Sequence, residues 1–133
     1  MNLKRKIKEP RVGGVGMPET LLLDEFGNQV WSVFGYPPYL VGSANNPNSK
    51  GKWRDVDVRL ILDDKEWQAW GFGDPKNPSM SGKWRALCMA FSELGRRMTG
   101  LPIDFQIQQQ TEANEVFRGR RSAIGLIPLR FKA

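Results

Sequence analysis

Apolar residues along this chain recur first at helical and then at strand spacing. Leu22, Phe26, Val30 and Val33 fall three or four residues apart behind Pro18, a residue suited to a first helical turn. The spacing predicts a helix from about 18 to 34, stopped by Gly35 and Pro37-Pro38. Tyr39-Leu40-Val41 is a short apolar run that ends at Gly42-Ser43, the pattern of a buried strand closing in a tight turn. Residues 44–54 are rich in Asn, Pro, Ser, Lys and Gly and read as a loop; Asn45, Asn46, Pro47 and Asn48 oppose a helix directly behind the turn. From Asp55 to Leu62 the pattern alternates strictly. Val56, Val58, Leu60 and Leu62 take one face of a strand, and Asp55, Asp57 and Arg59 take the other.

A short helix is expected over 63–70, followed by a second loop over 71–82. Trp84, Leu87, Cys88, Phe91, Leu94 and Met98 follow helical spacing, closed by Gly100 and Pro102. Ile103 to Gln108 alternates again, with Ile103, Phe105 and Ile107 inward and Asp104, Gln106 and Gln108 opposite. Residues 111–121 are expected to be helical, and 124–131 to supply a last short strand. This order of elements predicts an α/β (α+β) fold, a small mixed β-sheet flanked by helices. With 133 residues, 40% of them hydrophobic, one core is affordable and two are not. A single domain is expected over 18–133, behind a flexible basic N-terminal segment over 1–17. The glycine-rich stretch 11–16 lacks the Lys-Ser or Lys-Thr ending of a phosphate loop and belongs to that segment.

Composition narrows the chemistry. Histidine is absent, which removes Ser-His, Cys-His and His-metal sites and leaves carboxylates, lysines, tyrosines or a metal. The single cysteine, Cys88, cannot form an internal disulfide, and its helical setting is that of a small buried hydrophobe. No apolar run approaches the ~20 residues that span a bilayer, and no signal core follows the basic start, so a cytoplasmic location without membrane contact is expected. The net charge of +6 points to an acidic partner such as nucleic acid or nucleotide phosphate, though the opening Lys4-Arg5-Lys6 and Lys8 also suit a solubilising tail.

Asp55 and Asp57, one residue apart on a strand, point the same way and repel each other unless a cation neutralises them. Oxygen-only ligands suit a hard divalent ion, magnesium or manganese. Asp104, on the polar face of a neighbouring predicted strand, would complete a three-carboxylate site. Two ions held by such a site activate an attacking oxygen and stabilise a leaving phosphate without histidine or cysteine. In front of the pair, the Gly42-Ser43 turn lets backbone amides and the serine hydroxyl approach a phosphate.

Val41-Gly42-Ser43, eleven intervening residues and Asp55-Val56-Asp57-Val58 together resemble the signature of the DNA polymerase beta-like nucleotidyltransferase superfamily, and Ile103-Asp104-Phe105 resembles its third-carboxylate strand. The resemblance spans roughly 20–110 and is closest to the minimal, single-domain members. It implies a nucleotidyltransferase-like core and two-metal transfer of a nucleoside monophosphate from a nucleoside triphosphate such as ATP to an acceptor hydroxyl, with release of pyrophosphate. Asp55, Asp57 and Asp104 would be the catalytic and metal-binding residues, with two Mg2+ or Mn2+ ions. The acceptor, whether RNA, protein or small molecule, is not readable from the sequence.

Around this site, Lys50, Lys52 and Arg54 stand ready for the nucleotide phosphates or merely face solvent. Arg59 balances the metal site or pairs structurally with an aspartate. Arg118, Arg120 and Arg121 are the candidate acceptor-binding patch, with a solvated helix face as the plain alternative. Trp53 stacks on a base or simply packs, and Gln106, Gln108, Gln109 and Gln110 read a base or merely end a strand. The competing function is a non-catalytic basic nucleic-acid-binding module on a degenerate nucleotidyltransferase-like fold. A metal nuclease is the weakest option, because Asp57-Val58-Arg59 has arginine where its catalytic lysine would stand.

Overall fold

Strict alternation makes Val56–Leu62 a strand with one dry face, and that strand, β2, lies inside the sheet. The computed structural model describes residues 14–49 and 54–125. The expectations for 1–13, Lys50, Lys52, Trp53 and 126–133 lie outside the described residues. The elements are α1 (Glu19–Phe34), β1 (Tyr39–Val41), β2 (Val56–Leu62), α2 (Asp64–Trp70), α3 (Gly82–Thr99), β3 (Ile103–Gln109), α4 (Gln110–Val116) and β4 (Ser122–Ala123). Single 3-10 turns occupy Ser43–Asn45 and Pro78–Met80. The sheet is mixed, in the order β3-β2-β1-β4: β2 runs parallel to β3, and β1 runs antiparallel to both β2 and β4. The expected fold class is thus the observed one.

Val56, Val58, Leu60, Leu62, Ile103, Phe105 and Ile107 form one face of the sheet, and α1 and α3 lie against it. Phe105 is the centre of this contact. Its ring meets Phe26 of α1 edge-on at 6.1 Å between centroids and Phe91 of α3 at 5.3 Å. Gly95 makes the three-way approach possible, since a Cβ there would lie 2.9 Å from Ile103 Cγ2 and 3.0 Å from the Phe26 ring. The buried stripe of α1 is Leu23, Phe26, Val30 and Phe34, not Leu22 and Val33, which are exposed. The helix is rotated by about one residue from the expected stripe. Trp31 of the same helix is half-buried, and Leu94 of α3, which follows the expected helical spacing, is exposed. Of the lead-in, Gly14 and Val15 are buried, and the Gly14 amide donates to the Ala44 carbonyl at 2.7 Å.

β3 is an edge strand, and α3 covers its outer backbone with side chains. Trp84 Nε1 donates to the Ile107 carbonyl at 2.8 Å, and Arg96 Nε donates to the Ile103 carbonyl at 3.1 Å. Ser92 Oγ accepts from the Phe105 amide at 2.9 Å and donates to the Phe105 carbonyl at 3.4 Å. A buried strand edge must find partners for these groups, and one helix supplies them. Helix α3 itself begins at the Ser81 side chain, which accepts from the Trp84 amide, and ends at left-handed Gly100. The expected helix over 111–121 is shorter, ending at Val116; a two-residue strand occupies Ser122–Ala123, and the strand expected over 124–131 lies almost wholly outside the described residues. Among the described residues no helix is long and apolar enough to cross a membrane.

Candidate active site

The residue-by-residue register of the sheet assembles the polar face. Val41 of β1 lies opposite Asp57 of β2, and Asp57 lies beside Asp104 of β3. Because β2 and β3 are parallel and in register, the same period that buries Val58 and Phe105 sends Asp57 and Asp104 to the other face side by side. One pair further on, Arg59 lies beside Gln106, and beyond it Ile61 lies beside Gln108.

Arg59 reaches back between the two carboxylates. Its Nη2 is 3.4 Å from Asp104 Oδ2 and 3.7 Å from Asp57 Oδ1, and its Nη1 donates to the Asp104 carbonyl at 2.6 Å. Burial raises the Asp57 pKa above the usual carboxylate range; the Arg59 guanidinium opposes the shift, and the charges of Asp104 and Asp55 add to it. The charge of Asp57 is therefore only partly compensated.

The turn after β1 touches this carboxylate. Gly42 has a positive φ of 69°, and a Cβ on it would lie 2.6 Å from Asp57 Oδ2. Only glycine allows both the backbone conformation and the contact. Behind it, Ser43–Asn45 forms one 3-10 turn, closed by the Asn45 amide donating to the Gly42 carbonyl at 3.0 Å. The asparagines and Pro47 thus yield a single turn where they disfavour an α-helix. Asn45 is buried, and its Nδ2 donates to the Arg120 carbonyl at 3.1 Å, tying the turn to the loop after α4.

Between these two loops lies a cavity of about 350 Å³. Val41, Gly42, Asp57 and Arg59 form its floor, Gln106 and Gln108 one side, and Val116, Phe117, Arg118, Gly119 and Arg121 its outer wall. Asp104 opens instead on a shallower groove between β3 and α3, beside Arg85, Met89 and Arg96. The adjacent carboxylates therefore face two different depressions, with Gln106 bordering both.

No family model, curated protein or solved structure matches this chain. The structure brings together Gly42, Asp57, Arg118 and Arg121 around one cavity, with Asp104 beside Asp57 in the sheet but facing the neighbouring groove. Asp55 is exposed just before β2 and borders neither depression, although its charge acts on Asp57. Ser43 and Arg54 are exposed and line neither depression, while Lys50 and Lys52 lie outside the described residues. The three C-terminal arginines have separate positions. Arg121 closes α4, donating to the Ala113 and Phe117 carbonyls at 3.0 and 3.2 Å and to Asn114 Oδ1 at 3.0 Å. Arg118 lines the cavity, with its Nε on the Glu115 carbonyl at 3.2 Å. Arg120 contributes a backbone carbonyl to Asn45 and an exposed side chain.

Two features escape the sequence reading. Phe117 and Asn45 both shape the cavity, and nothing in their local pattern marks them, since each depends on where the loop after α4 returns to the sheet. Cys88 is buried as expected, and burial pushes its thiol up to about 11, far from a nucleophile at neutral pH. Among the described residues, no three Asp, Glu, Cys or His side chains converge closely enough to hold a metal ion as they stand.

Proposed function

We propose that the chain is a nucleotidyltransferase, transferring a nucleoside monophosphate from a nucleoside triphosphate to an acceptor hydroxyl. One observation carries the reading: Asp57 and Asp104 are register partners on parallel strands, and the positive-φ Gly42 turn lies against Asp57 in the lining of a cavity that Arg118 and Arg121 also line. The oxygen-only donor set and the incompletely compensated charge on Asp57 suit a hard divalent cation, although the three carboxylates do not converge on one point as they stand. Asp55, Asp57 and Asp104 are the residues that would hold magnesium or manganese, which when bound offsets the negative charge developing on the attacking and leaving oxygens.

The remaining work falls to the chain itself. Backbone amides of the Gly42-Ser43 turn donate to the phosphates, glycine allowing the close approach. Arg118 places positive charge over the same cavity and resists loss of the triphosphate to solvent. The acceptor oxygen forms its bond to the α-phosphorus as the bond to the bridging oxygen breaks. Pyrophosphate leaves with that electron pair, and the acceptor proton passes to solvent.

The test is transfer of label from α-labelled nucleoside triphosphates in manganese or magnesium, offered with RNA, protein and small hydroxyl acceptors. Transfer that Asp57→Ala abolishes supports the reading, and transfer that survives in that variant refutes it. A second reading has Arg59 on its side. A guanidinium already bridging both carboxylates is what a non-catalytic basic module needs in place of metal. It predicts nucleic-acid binding that weakens with salt, ignores magnesium and survives Asp104→Ala.

A further inference from the structure

The cavity beside Asp57 is chemically divided. Part of its lining, the Gly42 turn and Arg118, suits anions, whereas Gln106, Gln108, Val116 and Phe117 bring uncharged polar and apolar surface to the same space. Phe117 and Val116 are both exposed, at 51% and 57%, an uncommon placement for two adjacent apolar residues in a cavity wall. Among the described residues the Phe117 ring stacks on no other aromatic, and neither the Gln106 nor the Gln108 side chain has a hydrogen-bond partner. All three features point into or border one space, and the register fixes their order. Along β3, Asp104, Gln106 and Gln108 follow one another on the polar face, so the amides recede from the carboxylate pair in steps of two residues.

We infer that Phe117, Gln106 and Gln108 form a nucleobase subsite. This rests on the reading of the cavity as a nucleotide site. An aromatic face held at the edge of a polar cavity binds a base by stacking, which every base supports. A primary carboxamide presents one donor and one acceptor side by side, matching the paired acceptor and donor on a base edge. The triphosphate then runs from this subsite toward Gly42, passing Asp57, and the cavity is used along its whole length. The division also accounts for why Arg121 is held on backbone carbonyls: it fixes the loop that carries Phe117, whose own carbonyl it binds.

Equilibrium titration of the full chain with ATP, GTP, CTP and UTP, and with inorganic tripolyphosphate, separates the two halves of the cavity. Phe117→Ala is expected to weaken ATP binding by about tenfold or more, the scale of one lost base stack, and to leave tripolyphosphate unchanged. Phe117→Trp should restore it. Gln106→Ala with Gln108→Ala should level the affinities of the four nucleotides. ATP affinity unchanged by Phe117→Ala, or tripolyphosphate weakened as much as ATP, overturns the subsite. If label transfer still depends on Asp57 in that event, the transferase reading stands without it. Base-dependent binding with no transfer supports the subsite and removes the transferase reading instead.

Discussion

On the face of the sheet under α1 and α3, Val58, Leu60, Ile103 and Phe105 are fully buried and touch one another through carbon alone. One residue along, on the opposite face, Asp57, Arg59 and Asp104 remain half-buried and depend on one another. The same two strands supply both. The dry face is held by volume and shape, which many apolar side chains satisfy. The wet face is held by charge, and each group there is comfortable only while its neighbour is present. Stability is concentrated on the first and chemistry on the second, because a charge paired this incompletely contributes little to holding the fold.

The division breaks most visibly at Phe105. Phe105→Ala is expected to cost about 3–5 kcal/mol in urea unfolding, since it empties the contact shared by Phe26 and Phe91. A cost below about 1 kcal/mol would mean that the core is not organised around this ring. Next comes Arg59→Met, expected to cost about 1–3 kcal/mol by leaving Asp57 and Asp104 without their cation. Manganese should recover part of that loss, giving a larger rise in Tm in the variant than in the parent chain. An equal rise in both would show that Arg59 and a metal do not share a place.

The smallest effect is the most diagnostic, because its sign is fixed. The Asp57 pKa is raised in the folded chain, so the folded state keeps a proton that the unfolded chain has released. Stability from this group therefore falls as pH rises from the unfolded value, about 3.9, through the raised folded one. Above both, ionised Asp57 opposes folding. Asp57→Asn should be at least as stable as the parent at neutral pH and lose that advantage below about pH 4, read as the difference in urea midpoints. A variant less stable at neutral pH would place Asp57 among the groups that hold the fold.

Much of the polar face was legible beforehand because strand period is short and rigid. Once Val56, Val58, Leu60 and Ile103, Phe105, Ile107 are assigned inward, Asp57 and Asp104 have nowhere else to point. That they stand abreast needed the parallel pairing, which no local pattern contains. Helix α1 was harder. Leu21-Leu22-Leu23 and Val33-Phe34 offer two stripes one residue apart, and only tertiary packing selects Leu23 and Phe34, whose ring meets Trp70 and Phe91. The arginines illustrate a third limit: Arg118, Arg120 and Arg121 look alike in sequence, yet a turn of backbone gives them a cavity wall, an exposed side chain and a helix end respectively.

Trp84, Ser92 and Arg96 occupy the backbone groups of β3 that an arriving strand would have to pair with. While α3 is docked, no second molecule can extend the sheet on that side, so edge-to-edge growth is closed there. Lifting α3 would uncover Ile103–Gln109, seven residues alternating large apolar side chains with Asp and Gln, as an open template. The helix that completes the core thus also guards against aggregation, and the first sign of its detachment should be self-association before unfolding.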